Sequence, residues 1–180
     1  VARDLVERYR IAPAAKVTVV PVGIPLAPFL AIDAARRAAA RAAFGIAPGT
    51  PVGVLAGRLV PVKEPAVALD AWRWVRTAFP DATLLVAGDG PLRAPLERRG
   101  DAGVQFLGWR DDVPGFVAAA DVVLVPSRWE GMPYIVLEAL AAARPVVATR
   151  VDGARALIEE GRTGFLAELE SPPSIAAALR

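Results

Sequence analysis

Cysteine and histidine are both absent from the 180 residues. Without cysteine there is no disulfide, thiolate nucleophile or cysteine metal cage; without histidine the commonest general base and metal ligand is missing. Any catalysis must come from carboxylates, cations, backbone groups or the substrate itself, and no metal site is expected. An excess of one charge is lacking too: 21 Lys and Arg stand against 19 Asp and Glu. The basic residues form no tract able to neutralise a row of phosphates, so no nucleic-acid partner is expected. No apolar run reaches the roughly 20 residues of a membrane-spanning helix, and the charged start (Arg3, Asp4, Glu7, Arg8) is unlike a signal peptide. The expectation is a cytoplasmic protein with no transmembrane segment, leaving peripheral membrane attachment of a full-length protein open. Apolar residues are plentiful at 54%, enough for the core of one domain and too many for a disordered chain.

Short Val- and Leu-rich runs recur at residues 17–20, 52–56, 83–87, 104–107, 122–125, 146–148 and 165–167. They are too continuous for strands wet on one face and read as strands covered on both sides, the mark of a parallel sheet. Helical patterns lie between them. Val67, Ala71, Trp72, Val75 and Phe79 step by three or four, opened by Pro65 and closed by Pro80. Trp72 is expected in the core and Trp74 at the rim. Similar pieces occupy 91–99, 114–120, 133–143 and 153–160. The alternation predicts an α/β fold, a doubly wound, Rossmann-like parallel sheet.

Residues 1–24 hold one amphipathic helix (Leu5, Val6, Tyr9) and one strand, a unit unable to bury itself, and read as the tail of a missing N-terminal domain. Residues 25–50 read as a linker with a surface helix from 31 to 43, and 51–180 as the main domain, its last helix cut short. A start at Val1 rather than Met and a stop inside the helical run 174–180 point to an isolated fragment of a longer protein.

Open α/β sheets bind ligands beyond the carboxyl ends of their strands. Two loops stand out there. After the strand at 52–56 come Gly57, where backbone can approach a ligand closely, then Arg58 with a planar fork and Lys63 with a point charge, just before a helix N-terminus. Lys63 is one of two lysines in the chain. The set fits a diphosphate, with two solvated loop cations as the plainer alternative. After the strand at 122–125, Glu130, Gly131, Met132 and Pro133 lead into a helix carrying Glu138, with carboxylates suited to sugar hydroxyls rather than phosphate. A glycosidase would need its two carboxylates roughly 5 to 9.5 Å apart. Eight helical residues separate them by about 12 Å, which suits two sugars at the ends of a diphosphate better. A half-buried Glu138 capping a backbone amide is the plainer alternative. Gly88-Asp89-Gly90 begins like a dinucleotide fingerprint, but the third glycine falls at Arg93, so it reads as a strand-to-helix turn. Trp109 and Arg110 either offer a flat face or backbone groups to a base or, in the case of Trp109, simply pack at the surface.

Gly57-Arg58-Leu59-Val60-Pro61-Val62-Lys63, Val86 to Pro91, Phe106-Leu107-Gly108, Asp121 to Arg128, Glu130 to Glu138 and Pro145 to Thr149 follow one another in an order and spacing that resemble the C-terminal half of GT-B glycosyltransferases. The similarity is to the retaining "group 1" family (glycosyltransferase family 4) and covers about residues 17–170. It implies a nucleotide-diphosphate sugar as partner and hexosyl transfer with retention, without a bound metal or other cofactor. Arg58 and Lys63 would hold the diphosphate, Glu138 the ribose diol and Glu130 the sugar hydroxyls, with the Gly131 and Met132 amides close to sugar and phosphate. The acceptor site would lie in the missing N-terminal domain, leaving the fragment inactive alone. Pro133, Ala143, Asp152 and Ala156 depart from residues common in the family. A non-catalytic nucleotide-binding or interaction module on the same fold is the alternative; a dehydrogenase is disfavoured by Arg93.

Overall fold

The computed structural model describes residues 2–20 and 22–179. Val1, Pro21 of the expected tail and Arg180 of the expected last helix lie outside them. Six strands, β1 (Val52–Ala56), β2 (Thr83–Ala87), β3 (Val104–Gly108), β4 (Val122–Val125), β5 (Val146–Thr149) and β6 (Gly164–Ala167), form one parallel sheet in the order β3-β2-β1-β4-β5-β6. The helices are α1 (Ala27–Leu30), α2 (Ala34–Ala43), α3 (Pro65–Ala78), α4 (Arg93–Glu97), α5 (Val113–Ala119), α6 (Tyr134–Ala141), α7 (Asp152–Arg155) and α8 (Pro172–Ala178). The α/β doubly wound expectation is met.

Strand alternation explains why apolar runs were needed. Val52, Val54, Val123, Val125, Val146 and Ala148 point into one cluster with Phe116, Val117, Val136 and Ala139 of α5 and α6. Leu55, Leu84, Val86, Leu124 and Val147 point into a second cluster with α3 and α8. Successive residues serve opposite faces, and both faces are covered. Trp72 anchors the second cluster at 2% exposure, while Trp74 is exposed. The Trp72 ring lies where a side chain on β1 would stand: a Cβ on Gly53 would be 2.6 Å from Trp72 Cζ3. Truncating a buried aromatic of this size to Ala costs about 3–5 kcal/mol, so a small residue in β1 and a large one in α3 form a single packing decision.

Three local expectations differ from the structure. Residues 17–20 belong to no strand, and Val20 is 82% exposed. A strand exists only when a neighbour accepts its hydrogen bonds, and among the described residues all six paired strands lie at 52 or beyond. The amphipathic helix near Leu5 is a five-residue π-helical turn, Asp4–Arg8, with no buried residue. The pattern at 153–160 gives only the four residues of α7, after which Ile158 turns into the core. Residues 25–50 pack on the sheet domain through Phe29 and Ile46, both buried. No helix among the described residues is long and apolar enough to cross a membrane.

Candidate functional site

Strand order reverses between β1 and β4, because β1 pairs with β2 on one side and β4 on the other. Loops leaving such a switch point diverge and open a crevice. Here the crevice holds about 360 Å³ and is lined by residues of both predicted loops, by Trp109 and Arg110 after β3, and by the first turns of α6.

The β1 loop is fixed from beneath. Gly57 N–H donates to Ala87 O at 2.9 Å and Leu59 N–H to Asp89 O at 2.8 Å. Gly88 has φ +139°, and a Cβ there would fall 1.9 Å from Gly57 O, so the β1 and β2 loops can cross only over a glycine. The Gly88-Asp89-Gly90 segment is thus the strand-to-helix turn that was expected. A 3-10 turn at Pro61–Lys63 then carries Lys63 back toward the crevice, and Glu64 enters α3 in the left-handed region at φ 48°. Arg128 ties this loop to the one after β4: its N–H donates to Val62 O at 2.9 Å, and its guanidinium reaches Glu64 at 2.5 Å and Glu170 at 3.0 Å.

On α6, Tyr134, Ile135 and Glu138 share a face at i, i+1 and i+4 and line the crevice, while Val136 and Ala139 are buried in the core. No side chain caps α6, and Pro133 at its cap brings no N–H. The positive end of the helix dipole therefore meets the crevice without a protein counter-charge on its cap.

Lys63 Nζ donates to Glu130 Oε1 at 2.6 Å, so the cation expected for a diphosphate and the carboxylate expected for a sugar are bonded to each other. Glu130 is 8% exposed and the Lys63 side chain 29%. Ser127 Oγ donates to the same Glu130 oxygen at 2.6 Å. Thr149 Oγ1 donates to the Ser127 carbonyl. Arg58 lines the crevice and, among the described residues, has neither an ion pair nor a side-chain hydrogen bond. Glu138 is likewise unpartnered there, so it caps no backbone amide; burial raises its carboxyl above the ordinary 4.5. Among the described residues the crevice thus holds one neutralised pair, two cations without an ion pair, Arg58 and Arg110, and one unpartnered carboxylate, Glu138.

Gly57, Arg58, Lys63, Trp109, Arg110, Glu130, Met132 and Glu138 all line it. Gly131, between two lining residues, is exposed and does not. Trp109 is largely exposed, its indole N–H donating to Asp111 at 3.0 Å. The Arg110 guanidinium, at the edge of the crevice, lies 5.9 Å from the centre of the Phe44 ring. Ser127 and Thr149 were not singled out from sequence. Their signal was a hydroxyl closing each of two apolar runs that prove to be neighbouring strands, β4 and β5. Among the described residues no group of three or more carboxylates is placed to hold a metal ion.

The sequence model of the family Glycosyl transferases group 1 matches residues 50–180. The chain is 36% identical over 180 residues to the D-inositol 3-phosphate glycosyltransferase of Jonesia denitrificans, with 92% of this chain and 42% of that protein covered. It is 31% identical over 173 residues to the UDP-Gal:alpha-D-GlcNAc-diphosphoundecaprenol alpha-1,3-galactosyltransferase of Escherichia coli, covering 91% of this chain and 44% of that one. Among solved structures, Anabaena HepE in complex with UDP and glucose superposes with a TM-score of 0.81 at 26% identity, over 94% of this chain and 48% of HepE. The chain spans less than half the length of the curated relatives it matches.

Proposed function

The chain belongs to the group 1 glycosyl transferases, and from that premise we propose that it is the donor-binding half of an enzyme that moves a sugar from a nucleotide-diphosphate sugar to an acceptor with retention. The observation that carries the reading is the convergence, at the one switch point of the sheet, of an unpaired Arg58, the Lys63–Glu130 pair and an unpaired Glu138 around a single crevice. The HepE structure, with UDP and glucose bound to that protein, supports a nucleotide sugar as the partner.

In this reading the diphosphate sits between Arg58, Lys63 and the start of α6. Glu138 accepts the ribose hydroxyls and Glu130 those of the sugar. The exposed face of Trp109 and the backbone at Arg110 meet the base, and the Met132 amide lies beside sugar and phosphate. As the bond from the sugar C1 to the β-phosphate oxygen breaks, its electron pair stays on the diphosphate. Two cations lining the crevice offset that growing charge, so no metal ion is assigned a role. A second domain supplies the acceptor site, and the chain alone binds donor without turning it over.

Calorimetry with UDP, GDP and ADP tests this directly. One should bind at micromolar to millimolar strength, and Arg58→Ala should weaken it by about tenfold to a hundredfold, the worth of one charge-assisted contact of about 1.5–3 kcal/mol. If none of the three binds, or Arg58→Ala changes nothing, the crevice is not a donor site.

A further inference from the structure

The buried group that these roles leave unused is the Ser127 hydroxyl. Ser127 follows β4 by two residues and is 2% exposed. Its hydroxyl and the Lys63 ammonium both donate to Glu130 Oε1, each at 2.6 Å. Behind it stands Thr149, the fully buried last residue of β5, whose hydroxyl donates to the Ser127 carbonyl. A chain of donors thus runs from two adjacent strands to one carboxylate. No donor among the described residues reaches the other oxygen, Oε2. An ionised carboxylate has acceptor positions to spare on each oxygen, so Oε2 is available to a ligand.

The two donors on Oε1 differ in what holds them. Lys63 is a point charge on a flexible stem, partly exposed and carried by a loop. A diphosphate entering the crevice brings a charge on each phosphate and competes for it against the single charge of Glu130. Ser127 cannot follow, because its backbone is tied to β5 through Thr149. We propose that Ser127 is a positioning residue: when the diphosphate draws Lys63 away, the Ser127 hydroxyl keeps Oε1 engaged and leaves Oε2 directed into the crevice to accept a sugar hydroxyl. This inference rests on the donor-site reading of the crevice.

The test uses the tightest binder among UDP, GDP and ADP together with its glucose conjugate, titrated calorimetrically into the parent chain and the variants. Ser127→Ala should hold the affinity of the bare diphosphate within about twofold and weaken the conjugate by about tenfold, equivalent to about 1.4 kcal/mol. Thr149→Val should move the same way by less, and Ser127→Thr, which keeps a hydroxyl, should recover most of the loss. Melting temperatures are recorded alongside, because a purely structural serine would lower stability and weaken both ligands together. Equal losses for both ligands, or no change for either, overturn the positioning role while leaving the donor site standing. A parent chain that binds none of the nucleotides removes the donor site, and the role of Ser127 with it.

Discussion

Replacing Lys63 by Met keeps most of the length of the side chain and removes its charge, leaving Glu130 with the Ser127 hydroxyl as its remaining donor among the described residues. Glu130 is 8% exposed, close to the limit in which breaking an ion pair by deleting one partner costs about 3–5 kcal/mol. The Lys63 side chain is 29% exposed, so water reaches its end of the pair and part of the loss is recovered by solvation. A cost of about 2 kcal/mol follows. With a urea slope of about 2 kcal/mol per M, the unfolding midpoint should fall by about 1 M at unchanged slope. Adding Glu130→Gln to Lys63→Met removes the orphaned charge and should bring the midpoint back by at least half of that shift, a coupling that a double-mutant cycle reads without reference to either single cost. A Lys63→Met midpoint within about 0.2 M of the parent, or a double variant with the summed loss of the two singles, would refute the pairing.

Glu138 should show the opposite trade. Burial raises its carboxyl above the ordinary 4.5, so the native state binds its proton more readily than the unfolded chain, and the ionised group destabilises the fold. Glu138→Gln should therefore raise the melting temperature at pH 7, with the gain shrinking as pH falls and vanishing below the ordinary 4.5, while nucleotide affinity drops. A variant that is less stable at pH 7, or that binds as the parent does, contradicts this account. Ala143 offers a check unrelated to the crevice. It ends α6 at φ 54°, with Arg144 N–H donating to Ala139 O at 2.8 Å and its own N–H to Leu140 O at 3.0 Å, a helix stop that favours glycine. Ala143→Gly should stabilise the chain by about 0.5–1 kcal/mol, the left-handed cost less the entropy of glycine, as read from the same urea midpoints.

Much of the fold was legible because each strand is short, apolar on both sides and separated from the next by a helical period. Those signals are local, and β1 to β6 fell where the runs stood. Where a pattern needed a partner to become an element, sequence misled: residues 17–20 have strand composition and no pairing strand among the described residues, and the helical pattern at 153–160 gives only α7, Asp152–Arg155. The candidate residues were legible for a related reason. Cations beside a glycine after one strand, and carboxylates about a proline-led helix after another, sit at strand ends, where an open sheet leaves room for ligands.

Composition and periodicity thus determined the layered sheet, the chemistry excluded by the lack of His and Cys, and the strand ends at which candidate residues were sought. Only the tertiary structure decided how those loops meet. Lys63 and Glu130 are 67 residues apart, and nothing in either segment states that they share a hydrogen bond; that follows from β1 and β4 being paired neighbours. The same holds for Thr149 supporting Ser127 across β4 and β5. Local sequence sets what each segment can be, whereas strand order, chosen by burial of the whole sheet, sets which side chains end within reach of one another.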